Sequence, residues 1–304
     1  MQVPAHVDYE KATSVQHALA LLARYGPEAK VLAGGHSLIP MMKLRLAQPE
    51  LLVDINGLTD LRYIRRTGNE LRIGTLTRHA QLLDSELAGE HFAIMHDAER
   101  VIADPIVRNW GTVGGSLCQA DPSGDLSAAF AAVRGTMVIL GPHGSRQVSA
   151  RAFHTGPYET VVGSSELLTE IRLPIRPGHL RGGSGYLKVA RRAGDWPVGA
   201  AGAAVWLADA GGGGGGLTIA EVGIGLTAVG ATHFVAAEAE EFLRGRPADE
   251  ESLARAGEIA AEHCRPVTDQ RGPADYKRHL VRELTTRVLR VAVSRAHGSA
   301  GRAA

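Results

Sequence analysis

Apolar and polar positions in the first 57 residues switch between helical spacing and short continuous runs. Apolar side chains recur every three or four residues from Val15 to Leu22, after a capping residue at Thr13 or Ser14 and before Gly26. Short apolar runs are typical of buried strands. The pattern predicts, in order, a helix over 15–22, a strand over 30–33, a partly helical segment over 38–46 and a strand over 51–55.

From residue 61 the predicted strands become shorter and lie between helices. Thr77 can cap a helix over 78–83, and a helical pattern over 91–103 stops at Asp104-Pro105. A turn sequence at 141–144 predicts a hairpin. The strands predicted in this region cover 70–73, 136–140, 146–148 and 167–173.

The last third of the chain places its strands before its helices. The strands are predicted over 186–190, 199–207 and 217–229, and the helices over 236–243, 250–263 and 275–296. Six consecutive glycines, 211–216, lie between two strands with no helix after them, so we interpret them as a flexible hairpin tip rather than a phosphate loop. No Gly-x-Gly-x-x-Gly motif opens a helix after a strand, so a dinucleotide Rossmann domain is not supported.

These changes along the chain predict three domains of α+β class, covering 1–57, 58–177 and 178–304. The first has β-α-β character and places Gly34 at the C-terminal end of a strand, where α/β sheets usually bind ligands. The last boundary is predicted at Pro177-Gly178 and the glycine-rich run 181–185 behind it.

Composition narrows the class of protein. The chain has 304 residues, 44% of them apolar and 21% charged, which predicts a soluble globular protein with two or three cores. Lys and Arg number 33 against 32 Asp and Glu, which argues against nucleic-acid or membrane binding through bulk charge. Because the chain has neither a long apolar run nor an N-terminal signal pattern, we expect a cytoplasmic protein without an integral membrane segment.

The cysteines and histidines do not predict a metal site. Cys118 and Cys264 are too few for a structural zinc site or an iron–sulfur cluster. A disulfide between them stays open, although two free thiols are the expectation in a reducing compartment. The thirteen histidines show no metal-ligand spacing on a convincing helix.

Two glycine pairs carry the candidate chemistry. Gly34-Gly35 follows an apolar run and precedes Ser37, and Gly114-Gly115 precedes Ser116. Adjacent glycines leave backbone N–H groups uncovered, so such segments can wrap a phosphate with main-chain donors. One glycine pair alone is more often an ordinary tight turn. Two glycine pairs, each followed by a serine hydroxyl, indicate two backbone segments that enclose one extended anionic ligand.

The motifs around these glycines resemble those of a known family. Residues 33–46 (AGGHSLIPMMKLRL) and 52–55 (LVDI) are similar to the first FAD loop in the flavoprotein (medium) subunits of molybdenum hydroxylases. Residues 112–117 (TVGGSL) and 120–125 (ADPSGD) resemble the second loop, and 188–195 (KVARRAGD) and 275–280 (DYKRHL) resemble the C-terminal domain. The resemblance runs in order from about residue 5 to residue 290, and the carbon monoxide dehydrogenase group is the most similar.

The resemblance implies a fold and an activity. The fold is a vanillyl-alcohol-oxidase (PCMH)-type FAD-binding domain in two α/β parts, plus a C-terminal α/β domain of the CO dehydrogenase flavoprotein type. The chain would carry non-covalent FAD and no catalytic residue or metal of its own. It would take electrons from a [2Fe–2S] small subunit, beside a molybdenum-cofactor large subunit, in a dimer of heterotrimers. Any association with the inner membrane would then come through partners.

The residues expected to bind the cofactor follow from the motif positions. Lys188 is expected near the flavin as a cation, although the residue type alone favours a solvated strand lysine. Asp121 can hold a ribose hydroxyl or form an Asx turn, and His36 can donate to phosphate or fill space. The full set is Ala33, Gly34, Gly35, His36, Ser37, Leu38, Thr112, Val113, Gly114, Gly115, Ser116, Asp121, Asp125 and Lys188.

Three functions compete at this stage. The first is the flavin subunit described above, and the second is a free-standing FAD oxidase or dehydrogenase of the same fold. The third is an assembly subunit that has lost the cofactor, which the two intact glycine pairs argue against. Trp196-Pro197 departs from the family's usual Phe-Ala, which leaves acceptor access at the rim of the flavin pocket open.

Overall fold

In the computed structural model, which describes residues 3–209, 216–230 and 232–298, the chain begins with a three-stranded parallel sheet. The predicted first helix is confirmed: the Ser14 hydroxyl accepts from the His17 N–H at 3.0 Å, and Gly26 ends the helix with φ of 57°. The first strand was not predicted because all four of its residues are exposed. The elements are β1 (Asp8–Lys11), α1 (Val15–Tyr25), β2 (Ala29–Leu32), α2 (Leu38–Lys43) and β3 (Leu51–Asp54), with β3 central in the sheet.

An antiparallel sheet of five strands forms the second layer. Its central strand is the last of the five in the chain, which pairs with two earlier hairpins. The strands, in sheet order, are β4 (Ile64–Thr67), β5 (Glu70–Gly74), β10 (Leu167–Pro174), β6 (Thr136–Gly141) and β7 (Gly144–Ser149). A small separate hairpin consists of β8 (His154–Gly156) and β9 (Glu159–Thr160).

Six short helices connect β5 to β6. The single helix predicted over 91–103 is wrong, because the chain breaks at buried Phe92, whose backbone is not helical. Thr77 does not cap the helix that follows it; its hydroxyl donates to the Tyr63 carbonyl instead, and Arg78 is the N-cap. The helices are α3 (His79–Leu83), α4 (Glu86–His91), α5 (Ala93–Val101), α6 (Pro105–Trp110), α7 (Val113–Gln119) and α8 (Asp125–Ala132).

The C-terminal third is a four-stranded antiparallel sheet covered by helices. The glycine-rich run 181–185, just behind the boundary predicted at Pro177-Gly178, forms the start of a strand, and Gly183 lets the last helix pack against that strand. Glycines 211–215 of the predicted hairpin tip lie outside the described residues. Asp209 and Leu217, which flank the tip, pair with each other in the sheet. The elements are β11 (Arg181–Ala190), β12 (Pro197–Asp209), β13 (Leu217–Thr227), β14 (Phe234–Val235), α9 (Ala237–Leu243), α10 (Glu250–His263) and α11 (Ala274–Gly298).

The second and third sheets are joined by buried contacts. Tyr186 and Trp206 of the third sheet belong to the apolar core of the second. Glu240 of α9 is 3% exposed and binds the guanidinium groups of Arg134 and Arg151, at 3.3 and 2.6 Å. Each large sheet lies within one of the divisions 1–57, 58–177 and 178–304, which supports keeping them as proposed domains.

Both cysteines are free thiols, so Cys118 and Cys264 form no disulfide. Among the helices of the described ranges, none is long and apolar enough to span a bilayer.

Candidate functional site

A cleft of about 750 Å³ lies between the parallel sheet, α7 and the end of β11 with the turn that follows it. The two glycine segments meet here, since a Cβ atom on Gly34 would lie 2.7 Å from the Cα of Gly111. The cleft brings together all the predicted site residues except Val113: Ala33, Gly34, Gly35, His36, Ser37, Leu38, Thr112, Gly114, Gly115, Ser116, Asp121, Asp125 and Lys188.

The first glycine segment is a loop that offers free donors. Gly35 has φ of 76°, a conformation that favours glycine. Within the described ranges, the N–H groups of Gly35, His36 and Ser37 have no acceptor, and the Ser37 hydroxyl has no partner. Asn56 holds the loop from behind by donating to the Ala33 carbonyl at 2.6 Å. This arrangement can bind an anion with several main-chain donors.

His36 folds back onto its own loop. Its Nδ1 donates to the Gly34 carbonyl at 2.9 Å, and its side chain is exposed at the edge of the cleft. The ring therefore braces the loop through Nδ1, which leaves Nε2 as the ring nitrogen that can face a ligand.

The second glycine segment is not a loop but the first turns of α7. The Thr112 hydroxyl caps this helix by accepting from the Gly115 N–H at 3.0 Å. The Val113 and Gly114 N–H groups donate to the carbonyls of Thr77 and Thr75, both at 2.9 Å. The expectation that these main-chain N–H groups bind phosphate is therefore corrected, because they already have protein acceptors.

Val113 and the glycines of α7 shape the wall of the cleft. The Val113 side chain is fully buried in the core and does not reach the cleft. A Cβ atom on Gly115 would lie 4.0 Å from the Ala33 side chain, so the two segments approach closely. Ser116 brings a hydroxyl to the cleft that has no partner within the described residues.

Asp121 forms the Asx turn that was one of its two predicted roles. Its Oδ1 accepts from the Ser123 N–H at 2.8 Å. Its Oδ2 accepts from the Tyr158 hydroxyl at 3.2 Å, and both residues line the cleft. The carboxylate therefore fixes the turn after α7 and ties it to the hairpin of β8 and β9.

Asp125 and Lys188 form a buried ion pair at one end of the cleft. The Lys188 ammonium lies 2.8 Å from Asp125 Oδ2 and 3.0 Å from the Val101 carbonyl. The Tyr186 hydroxyl donates to Asp125 Oδ1 at 2.8 Å. Burial raises the pKa of Asp125, while the Lys188 ammonium and Tyr186 hydroxyl stabilise its anion. Lys188 is therefore not a solvated strand lysine, and the charge of its ammonium is balanced by a buried carboxylate.

Comparison with known proteins accounts for this arrangement. Residues 5–176 match the family model described as the FAD binding domain in molybdopterin dehydrogenase, and residues 184–292 match the CO dehydrogenase flavoprotein C-terminal domain. The chain belongs to the FAD-binding subunits of this family.

Individual members of the family are similar over their whole length. The carbon monoxide dehydrogenase medium chain of Hydrogenophaga pseudoflava is 38% identical over 96% of this chain and 99% of the relative. The glyceraldehyde dehydrogenase medium chain of Sulfolobus acidocaldarius is 33% identical over 94% and 98%. A solved structure of the Hydrogenophaga pseudoflava carbon monoxide dehydrogenase superposes with a TM-score of 0.90, covering 96% and 99% of the two chains. This chain is thus the medium FAD subunit of a molybdenum hydroxylase of the CO dehydrogenase and xanthine dehydrogenase type.

The cleft fits FAD, the cofactor of this family. The free N–H groups of Gly35, His36 and Ser37 suit a pyrophosphate, which carries two negative charges. The hydroxyls of Ser37 and Ser116 can add donors from the two walls. FAD-binding subunits of this type are parts of FAD-dependent oxidoreductases.

Sequence reasoning missed one buried polar pair beside the cleft. His79 lines the cleft and bonds to Glu99, which is fully buried in α5. The available signal was the position of Glu99 next to Ala98 on the apolar face of α5, where a charged residue needs a buried partner. Trp196, noted from its motif position, does lie at the cleft and is 43% exposed.

Proposed function

We propose that this chain is the electron-exit subunit of its complex. It accepts electrons from a [2Fe–2S] small subunit and passes them to an external acceptor, while a molybdenum-cofactor large subunit oxidises the substrate. The observation that carries the proposal is the cleft itself, in which unsatisfied donors of the first loop face the wall formed by α7. FAD supplies the redox chemistry there, since flavins exchange electrons with both one- and two-electron partners.

The residues of the chain hold and shield the cofactor. The first loop binds its anionic part, while Asp121 and Tyr158 fix the turn beside it. The Asp125–Lys188 pair closes one end of the cleft with side chains that are 4% exposed, so it excludes water without adding net charge.

The mouth of the cleft is suited to electron transfer with a partner protein. Trp196 is 43% exposed there, in the turn between β11 and β12. Arg191 and Arg192 of the same turn are 56% and 84% exposed, and each lies 3.7 Å from Asp195. Exposed aromatic and arginine side chains are common at protein interfaces, which supports docking of an electron-transfer partner at this edge.

The proposed assembly follows from the relatives. Two of them are named as medium chains, and one solved relative is a carbon monoxide dehydrogenase that lacks the Mo-pyranopterin moiety of its molybdenum cofactor. We extend this to the present chain as a cytoplasmic dimer of heterotrimers, which reaches a membrane only through its partners.

The experiment uses the complex purified with its partner subunits. Chemical reduction of the iron–sulfur subunit should bleach the flavin absorbance in stopped flow, and stripping FAD from the complex should abolish that signal. The chain alone should show no turnover with carbon monoxide, aldehydes or purines. Robust oxidation of a small molecule by the chain alone would instead support a free-standing oxidase.

A further inference from the structure

His79 and Glu99 form a buried pair that the proposed function does not use. His79 opens α3 and Glu99 lies in α5. The His79 Nδ1 donates to both oxygens of Glu99, at 3.0 and 2.9 Å. Glu99 is fully buried and His79 is 5% exposed. Within the described ranges, His79 is the hydrogen-bond donor to this carboxylate, so the charge of Glu99 depends on the proton of the imidazole.

The other edge of the imidazole faces the cleft. A Cβ atom on Gly111 would lie 2.8 Å from His79 Cδ2 and 3.3 Å from Nε2. Gly111 in turn contacts Gly34 of the first loop, and all three residues line the cleft. Nε2 has no hydrogen-bond partner in the part of the chain that the structure describes. The ring therefore lies behind the point where the two glycine segments meet.

The charges around the pair come from three elements, α6, α8 and β11. Burial is the main influence on Glu99 and raises its pKa, whereas His79 and, more weakly, Arg108 of α6 lower it. Asp125 of α8 raises it, but Asp125 is itself paired with Lys188 of β11. A buried Glu99 anion beside a neutral imidazole would leave a net negative charge next to the cofactor site, which is unfavourable.

We propose that the His79–Glu99 pair holds the proton that lets the cleft accept the negatively charged FAD. With one proton on the pair, its net charge is zero and the imidazolium presents a positive Nε2–H edge toward Gly111. Without that proton the pair is negative and repels the pyrophosphate. This inference rests on the assignment of the cleft to FAD.

The proposal predicts a linkage between FAD binding and protonation. Because bound FAD favours the protonated pair, the FAD complex must hold this proton more tightly than the FAD-free protein does. FAD binding therefore takes up protons, and FAD affinity falls as rising pH removes the proton, by up to about tenfold per pH unit.

The test is a titration of the FAD-depleted complex with FAD, followed by flavin fluorescence from about pH 6 to about pH 9. Calorimetry in buffers of different ionisation enthalpy counts the protons taken up. The wild type should lose about tenfold or more in affinity across this range and take up a measurable fraction of a proton. Glu99→Gln keeps an acceptor for Nδ1–H and is neutral without the shared proton, so it should lack the loss of FAD affinity that the wild type shows at high pH.

A matched control separates this from a general loss of stability. Glu240→Gln removes another buried carboxylate, which binds Arg134 and Arg151 rather than the cleft, and should keep the wild-type slope and proton uptake. A flat wild-type affinity without proton uptake, or a wild-type slope in Glu99→Gln, would overturn the proposal. If Glu99→Gln fails to fold, the proposal is tested instead by the proton uptake of the wild type in calorimetry and by the pH dependence of FAD affinity in His79→Gln. Failure of the wild type to bind FAD at any pH would instead reject the cofactor assignment.

Discussion

The Lys188 ammonium lies 2.8 Å from the Asp125 carboxylate, and both side chains are only 4% exposed. Removing one member of such a pair leaves the other charge buried without a partner, which costs more than removing both. The pair therefore acts as one neutral unit at the end of the cleft, and its influence on the flavin is that of a dipole rather than a free positive charge.

Lys188→Met should destabilise the chain by about 3–5 kcal/mol, because Asp125 loses its counter-ion. The double variant Lys188→Met/Asp125→Asn should recover a large part of that loss. Urea unfolding of the FAD-free chain measures both. If Lys188→Met is as stable as the wild type, or if the double variant is no more stable than Lys188→Met, the two residues do not depend on each other.

Gly34→Ala and Gly114→Ala should destabilise the fold by about 1–3 kcal/mol each, because the protein itself is packed against both positions. A Cβ atom on Gly34 would meet the Trp110 carbonyl, and one on Gly114 would lie 2.5 Å from the Thr75 Cβ. This differs from the simplest expectation, in which a side chain at either glycine enters the pyrophosphate space and leaves the fold intact.

The matched control is Gly178→Ala, whose added methyl group meets nothing within 4 Å. It should leave the unfolding midpoint within experimental scatter. Equal midpoints for all three variants would show that Gly34 and Gly114 are not close-packed.

Acid should weaken the fold through His233. Its imidazole lies 5.1 Å from that of His154, is 7% exposed and has no hydrogen-bond partner at either nitrogen within the described residues. Burial lowers the pKa of His233 to about 4. The ordinary imidazole pKa is about 6.5, so as the pH falls below that value the unfolded chain takes up a proton on His233 before the folded chain does. The free energy of unfolding therefore falls, by about 3 kcal/mol in total once the pH is below 4.

His233→Phe should flatten that part of the pH–stability curve. The exposed His297 provides the comparison, since His297→Gln should leave the curve unchanged. Unfolding free energies measured at about pH 7, 5 and 4 give the result. If the free energy of unfolding of His233→Phe falls with pH as steeply as that of the wild type, other groups cause the loss of stability in acid.

FAD should protect the Cys118 thiol, which is exposed on the wall of the cleft. Alkylation with iodoacetamide, followed by mass spectrometry, should be slower with FAD bound than in the FAD-free complex. Buried Cys264 is the internal comparison. Rapid labelling of Cys118 in the FAD-bound complex would contradict its position in the cofactor cleft.

Regular elements were predictable wherever local signals agreed. The helix α1 has an N-cap, an apolar stripe and a terminal glycine, and α10 has matching predicted and observed bounds because Asp249 caps it. Strand β1 was missed because its pairing with β3 is long-range and none of its residues is buried. The break at Phe92 also depends on tertiary packing, which helical periodicity does not show.

The candidate site was predictable in its members but not in their roles. All the predicted residues except Val113 line one cleft, yet the α7 glycines are helical, and the N–H groups of Val113 and Gly114 donate to Thr77 and Thr75. Those acceptors lie more than thirty residues away in the chain, so the sequence alone could not reveal them. The pairing of Lys188 with Asp125 is likewise long-range, since the two residues are 63 positions apart.

FAD occupancy of the cleft at the first loop is the claim on which the proposed function depends most directly. The decisive measurement is the FAD-to-polypeptide ratio of the purified complex, from flavin absorbance, for Ser37→Trp and for Ser145→Trp. Ser37 lines the cleft, whereas Ser145 is exposed on β7. The wild type and Ser145→Trp should retain stoichiometric FAD that denaturation releases into solution, and Ser37→Trp should be folded and colourless. Stoichiometric FAD in Ser37→Trp, or colour that stays with the denatured chain, would contradict non-covalent binding at this loop.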